Sequence, residues 1–149
     1  MVSYDTHLKE RCFSFLQEDE AQVFLSLMDE RICKAGTHLF EKGDPADCLY
    51  LVVSGKIAVQ KRTGFGERTQ VVALLGAGAP IGEGGLLEKK VRGSTLLVVQ
   101  DSKLLVFKRS AFLQLCYKDN SLAVKILQWL LERVVVRLQK NSERLAHIL

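Results

Sequence analysis

The sequence predicts an α+β fold, mainly β: an antiparallel barrel or jelly roll flanked by N-terminal helices and a long C-terminal helix. Three observations carry this. From Ile32 to Phe107, short β-branched and apolar runs alternate with turn signals at intervals that suit a small barrel or sandwich. Before that stretch, and again from Ser110 onward, apolar residues recur at helical spacing. The chain has 149 residues, 48% hydrophobic and 26% charged, which suits one domain able to bury a core without disulfides or metal. The single domain, residues 1–149, is expected to hold helices over about 7–28, the barrel over about 32–108 and C-terminal helices over about 110–148.

From His7 to Met28, Phe13, Phe15, Leu16, Val23, Phe24, Leu27 and Met28 supply an apolar face. Glu18, Asp19 and Glu20 stand where a second helical stretch begins, and a helix N-terminus favours negative charge. Strands are expected at Thr37–Phe40, Leu49–Val53, Ile57–Gln60, Thr69–Leu75, Leu96–Gln100 and Leu104–Phe107. Gly43-Asp44-Pro45, Ser54-Gly55, Thr63-Gly64-Phe65-Gly66 and Asp101-Ser102 are the expected breaks.

The last helix carries two apolar stripes. Val124, Leu127, Leu131, Val134, Leu138, Asn141, Leu145 and Ile148 are spaced alternately three and four apart, a heptad seam with one polar interruption. Leu122, Ile126, Trp129, Leu130 and Val136 form the second stripe. A helix apolar on two faces buries both. One face is expected on the barrel and the other on a second copy, giving a homodimer through the C-terminal helix. Arg133, Arg137, Lys140 and Arg144 read as a solvated polar face.

The most informative stretch runs from Leu75 to Leu87 and on through Arg92-Gly93-Ser94. Glycines and Pro80 surround one carboxylate, Glu83, and a guanidinium, Arg92, follows nine residues later. Such a loop turns tightly and lets backbone approach a ligand closely. A fork-shaped cation and exposed N–H groups suit an anion, and a carboxylate suits a sugar hydroxyl.

Leu75, Gly76, Gly78, Ile81, Gly82, Glu83, Leu86, Arg92 and Ser94 resemble, in order, the phosphate-binding cassette of the cyclic nucleotide-binding domain. Ala35-Gly36, Leu39-Phe40, Lys42-Gly43-Asp44, Asp47, Leu49-Tyr50, Val52 and Gly55 extend the resemblance, which covers residues 13 to 138. It implies that Arg92 pairs with a cyclic phosphate and that Glu83 accepts the ribose 2′-hydroxyl. It also implies that the N–H groups of Gly84, Gly85 and Leu86, with Gly82 before them, cradle the phosphate. Ser94 is expected near the phosphate or the base edge, or on the barrel wall facing solvent, and Trp129 either as a lid over the base or as an ordinary core residue. Gly93 stands where many cGMP-preferring relatives have threonine, so cAMP is expected over cGMP. Gly84 replaces a leucine or isoleucine, and Pro80 a common aromatic. Ligand binding is expected to rearrange the C-terminal helix and signal to a separate effector protein.

Other classes fit less well. His7, His38 and His147 lie far apart, so a cupin-like metal site is not expected, and no cofactor is called for. No hydrolase elbow or Walker loop occurs, which argues against an enzyme. A barrel of the same family serving only as a protein scaffold is the alternative. The residues after the long helix are too few for a DNA-binding domain. Cys12, Cys33, Cys48 and Cys116 show no disulfide or zinc spacing, no apolar run would span a membrane, and no signal peptide is visible. A cytoplasmic location is expected. The net charge of +4 suits an anionic ligand.

Overall fold

The structure is a computed structural model that describes residues 6–64, 68–88 and 90–148. Two short helices, α1 (Thr6–Cys12) and α2 (Glu18–Ser26), come first. Strands β1 (Asp29–Cys33), β2 (His38–Phe40), β3 (Pro45–Ala46) and β4 (Cys48–Arg62) follow. Then come β5 (Thr69–Leu75), β6 (Pro80–Ile81), a 3₁₀ turn (Glu83–Leu86), β7 (Lys90–Val91) and β8 (Thr95–Lys108). The chain closes with α3 (Arg109–Lys118) and α4 (Asn120–Ile148). In α2, the Glu20 carboxylate accepts the Gln17 N–H at 2.9 Å and also binds Lys125 Nζ of α4 at 2.9 Å. The acidic first turn thus caps its helix and ties it to the last one.

Two of the expected breaks are not breaks. β4 runs through Ser54-Gly55 and β8 runs through Asp101-Ser102. The register slips at Val52/Ser54, Ser54/Lys56 and Lys56/Ile57, so these turn signals mark bulges in long bent strands. Gly55 has φ +102°, and a Cβ there would collide with the Ser102 side chain on the facing strand. The buried Ser102 hydroxyl donates to Gln100 O at 2.7 Å and accepts the Lys56 N–H at 3.2 Å, which fills the bond gap the bulge opens. Of the Thr63–Gly66 break, Phe65 and Gly66 lie outside the described residues.

The expected barrel is not closed. The main antiparallel sheet follows the order β1-β8-β4-β5, with β2 on β8 and β6 on β4, while β3 and β7 form a separate ribbon. Closure needs a continuous staggered ladder between the two edge strands. Here β2, β3, β6 and β7 are only two or three residues long, and β1 and β5 remain edges. The architecture is a jelly roll open on the β5 side.

Alternation along β4 explains its continuous apolar run. Leu49, Leu51 and Val53 point into a core shared with α1 to α4, and Cys48, Tyr50 and Val52 point into the roll. On the helical side, Phe13, Leu16, Phe24, Leu122, Ile126 and Leu130 meet Leu105 and Phe107. The second stripe of α4 is therefore buried as expected through Leu130, but Val136 is exposed. The seam is exposed from Val124 to Leu138 apart from half-buried Val134, with Leu131 and Leu138 63% and 60% exposed, whereas Asn141, Leu145 and Ile148 at its end border a cleft. All four cysteines are thiols. No helix among the described residues is long and apolar enough to cross a membrane.

Candidate functional site

The glycine-rich stretch is pinned to β4 before it reaches Glu83. Gly78 N–H donates to Val52 O at 2.8 Å, Val52 N–H donates to Ala79 O at 3.0 Å, and β6 pairs with Tyr50 and Leu51. Gly82 then takes a left-handed conformation, φ +70°, and the 3₁₀ turn begins. Leu86 anchors the turn by burying its side chain against the helical core. Gly85 lies on the backbone of Cys48, where a Cβ would run into the Cys48 carbonyl. Gly84 has open space in front of it.

Arg92 reaches the same place from β7. Its N–H donates to Asp44 O and its carbonyl accepts from Gly43 N–H, both at 2.8 Å. The side chain is only 5% exposed. Arg92 Nη1 donates to Gly82 O at 3.0 Å, and Nη2 donates to Cys48 O at 2.9 Å. The guanidinium lies 4.2 Å from the Phe40 ring centroid and 5.6 Å from that of Tyr50. Burial, followed by the Cys48 thiol, pushes the Tyr50 phenol up to about 12, so it stays neutral beside the cation.

Gly82, Glu83, Gly84, Gly85, Arg92, Gly93 and Ser94 all line one cleft of about 790 Å³. Its other walls are β5, the Val59–Lys61 part of β4, and Arg137, Asn141, Arg144, Leu145 and Ile148 of α4. Lys61 Nζ donates to Gly93 O at 2.8 Å and closes one corner. A volume of this size is ordinary for a small-molecule site.

Several expectations need correction. Glu83 is ion-paired with Arg137 of α4, a partner that the sequence did not suggest, and Arg92 is hydrogen-bonded to two backbone carbonyls. The Gly85 N–H, expected to face a phosphate, donates to Gly82 O at 2.9 Å within the turn. Leu86 is a core anchor and does not line the cleft. Trp129 is no lid: it is 8% exposed and stacks on Phe15 with centroids 4.6 Å apart, away from the cleft.

The row Arg133, Arg137, Lys140 and Arg144 is exposed, as expected of a solvated face, and it also borders the cleft. Arg137 and Arg144 line the 790 Å³ cleft, and all four line an adjoining cavity of about 250 Å³ between α4, β5 and β6. Arg144 Nη1 donates to Val72 O at 3.2 Å. A signal for this existed in the sequence. Leu122, Ile126, Trp129, Arg133, Arg137, Lys140 and Arg144 continue one stripe at spacings of three and four, so the body-facing side of α4 turns from apolar to basic past Leu130.

The family profile described as "Cyclic nucleotide-binding domain" matches residues 30–119. The chain is 36% identical over 103 residues to the cyclic AMP receptor protein of Thermus thermophilus, covering 69% of this chain and 47% of that protein. It thus spans about half the length of that curated relative. Among solved structures, a cyclic nucleotide-binding domain from Methylobacillus flagellatus superposes with TM-score 0.82 at 27% identity, covering 87% of this chain and 72% of that one. The regulatory domain of Toxoplasma gondii PKA, crystallised with cAMP, superposes with TM-score 0.62 at 28% identity, covering 74% and 45%. With the cassette motif, the jelly roll and the profile in agreement over the same residues, the chain belongs to the cyclic nucleotide-binding domain family.

Proposed function

We propose that this chain is a non-catalytic, cytoplasmic cyclic nucleotide sensor, with cAMP preferred over cGMP, that regulates a separate effector protein. The observation that carries the reading is the placement of Arg92 and Glu83 on one cleft with the Gly82–Gly85 turn between them. An arginine has five N–H donors. Two carbonyls fix the plane of Arg92, and its other donors suit a phosphate entering from the cleft. Glu83 suits the 2′-hydroxyl. The names of the Thermus receptor and the Toxoplasma complex, and the absence of a hydroxyl at Gly93, support cAMP.

The Glu83–Arg137 pair supplies a route from ligand to helix. A ribose hydroxyl donating to Glu83 competes with Arg137 for the same carboxylate, so ligand contact changes what holds α4 over the cleft. A ligand shifts such an equilibrium only through differential contact, and this is one.

Calorimetric titration with cAMP, cGMP, AMP and 2′-deoxy-cAMP tests the reading. The wild type is expected to bind cAMP more tightly than cGMP and far more tightly than AMP. Glu83→Ala is expected to weaken cAMP much more than 2′-deoxy-cAMP, because the deoxy ligand has no hydroxyl to lose. Equal losses for the two would assign Glu83 to the ion pair alone.

A parallel homodimer is expected through Val124, Leu127, Leu131, Val134, Leu138 and Leu145; Val124, Leu127, Leu131 and Leu138 are exposed, Val134 is half-buried, and Leu145 also borders the cleft. Sedimentation at micromolar concentration is expected to give a dimer, and Leu131→Asp/Leu138→Asp a monomer. A monomeric wild type, or a variant that stays dimeric, refutes the seam.

A further inference from the structure

The positive charge of this molecule is concentrated where α4 crosses the roll. The two adjoining cavities are lined, among the described residues, by six cationic side chains and one carboxylate. Their net +5 exceeds the +4 of the entire chain. The carboxylate, Glu83, is already engaged by Arg137. Arg133 and Lys140 have no hydrogen bond or ion pair to any described residue, and both line the smaller cavity but not the larger. Helix geometry gives the row from Arg133 to Arg144 a length of about 16 Å.

A cyclic mononucleotide carries one phosphodiester, and Arg92 is the group for it. That leaves the α4 row unmatched. Like charges held along one wall of a cleft repel one another and raise the local concentration of anions. This row, exposed along its length, lies beside β5 and β6 on a cavity that shares Ala73, Leu75 and Asn141 with the first.

We infer that the Arg133–Lys140 part of α4 is a second phosphate subsite, and that the joined cavities take a cyclic nucleotide with two phosphodiesters, a cyclic dinucleotide. One phosphodiester lies at Arg92 and the other on the α4 row. This rests on the reading of Arg92 as the first phosphate contact. The ligand class follows from the shape of the charge: two cationic centres on adjoining walls match two phosphates separated by sugars and bases. A polyphosphate chain places its charges side by side and matches them poorly.

The test is titration of the full chain with cAMP, cyclic di-AMP, cyclic di-GMP and ATP, in the wild type and in Arg133→Gln/Lys140→Gln. Both substituted residues are exposed, and circular dichroism checks the fold of the variant. At least one cyclic dinucleotide is expected to bind the wild type tenfold or more tighter than cAMP. The double variant is expected to abolish that advantage while leaving cAMP affinity unchanged. Cyclic di-AMP against cyclic di-GMP identifies the base. cAMP binding as tightly as both dinucleotides, or the variant weakening cAMP and dinucleotide equally, overturns the second subsite and leaves the first intact. ATP gaining as much from the row as a dinucleotide does also overturns it, because the row is then a general anion attractor. If no cyclic ligand binds at all, the sensor reading fails and this inference fails with it.

Discussion

Replacing Arg92 by alanine is expected to weaken cAMP binding by about 2–5 kcal/mol, the range found when one partner of a buried charged pair is removed. The structure adds a second consequence. Arg92 is the donor to the carbonyls of Gly82 and Cys48, which lie on opposite sides of the cassette. Gly82 O keeps the Gly85 N–H, but Cys48 O loses this donor, and leaving a buried acceptor short of a partner costs roughly 1–3 kcal/mol, so thermal stability falls together with affinity. Arg92→Lys separates the two effects. It keeps a charge for the phosphate but offers no planar fork to bridge both carbonyls, so it is expected to recover part of the affinity and little of the stability. Calorimetry with thermal melts of both variants makes the check. Undiminished cAMP affinity in Arg92→Ala would end the phosphate assignment.

Adjacent glycines in the cassette are expected to respond in opposite directions. A Cβ at Gly85 would strike the carbonyl of Cys48, which is backbone within β4 and has no rotamer to escape into. Gly85→Ala therefore has to push the turn away from β4, and overpacking of this kind costs about 1–3 kcal/mol or more. Displacing the turn also moves Glu83 and the Gly82 carbonyl that orients Arg92, so ligand affinity falls as well. At Gly84 nothing lies within 4 Å, and no left-handed angle is required. Gly84→Ala is expected to be neutral or to stabilise by about 0.4–1 kcal/mol, by narrowing the unfolded ensemble. Melting temperatures of the two variants, measured side by side, decide this. Similar losses at both positions would show that the turn is tightly packed on its cleft side too.

The two glycines show what sequence pattern carries and what it does not. As residues, both read as loop freedom in a stretch that needed to turn. Only packing separates them, because Cys48, the neighbour that makes Gly85 obligatory, is 37 positions away in the chain. The same distinction explains the strand corrections. Ser54-Gly55 and Asp101-Ser102 carry turn chemistry, and each marks a real departure from a flat strand. They face each other across β4 and β8, so the ladder continues on both sides and the departure becomes a bulge. A local signal has no means of knowing that its partner strand is also bent.

For a related reason the sequence left Trp129 open between lid and core and did not place the basic row of α4 beside the cleft. Helical periodicity groups residues by face but does not say what each face meets at each turn. The face bearing Leu122, Ile126 and Trp129 rests on the helical core, and about one turn beyond Trp129 the same face begins to line the smaller cavity. Glu83 was available to two cations, one nine residues away and one on α4. The fold turned Arg92 inward to its carbonyls and brought Arg137 across to Glu83.

By itself, the sequence determined the α+β class, the helix–roll–helix order, the two stripes of the last helix, and the cassette motif with Glu83 and Arg92. These rest on period, turn chemistry and ordered spacing, which are properties of neighbours along the chain. Tertiary structure alone decided that the roll stays open, that Trp129 belongs to the core, that Glu83 pairs with Arg137, and that the basic row of α4 lines the cleft. Each of these depends on which distant surfaces meet. Contact free energy is settled by burial and charge pairing between elements far apart in the chain, and no local pattern encodes that.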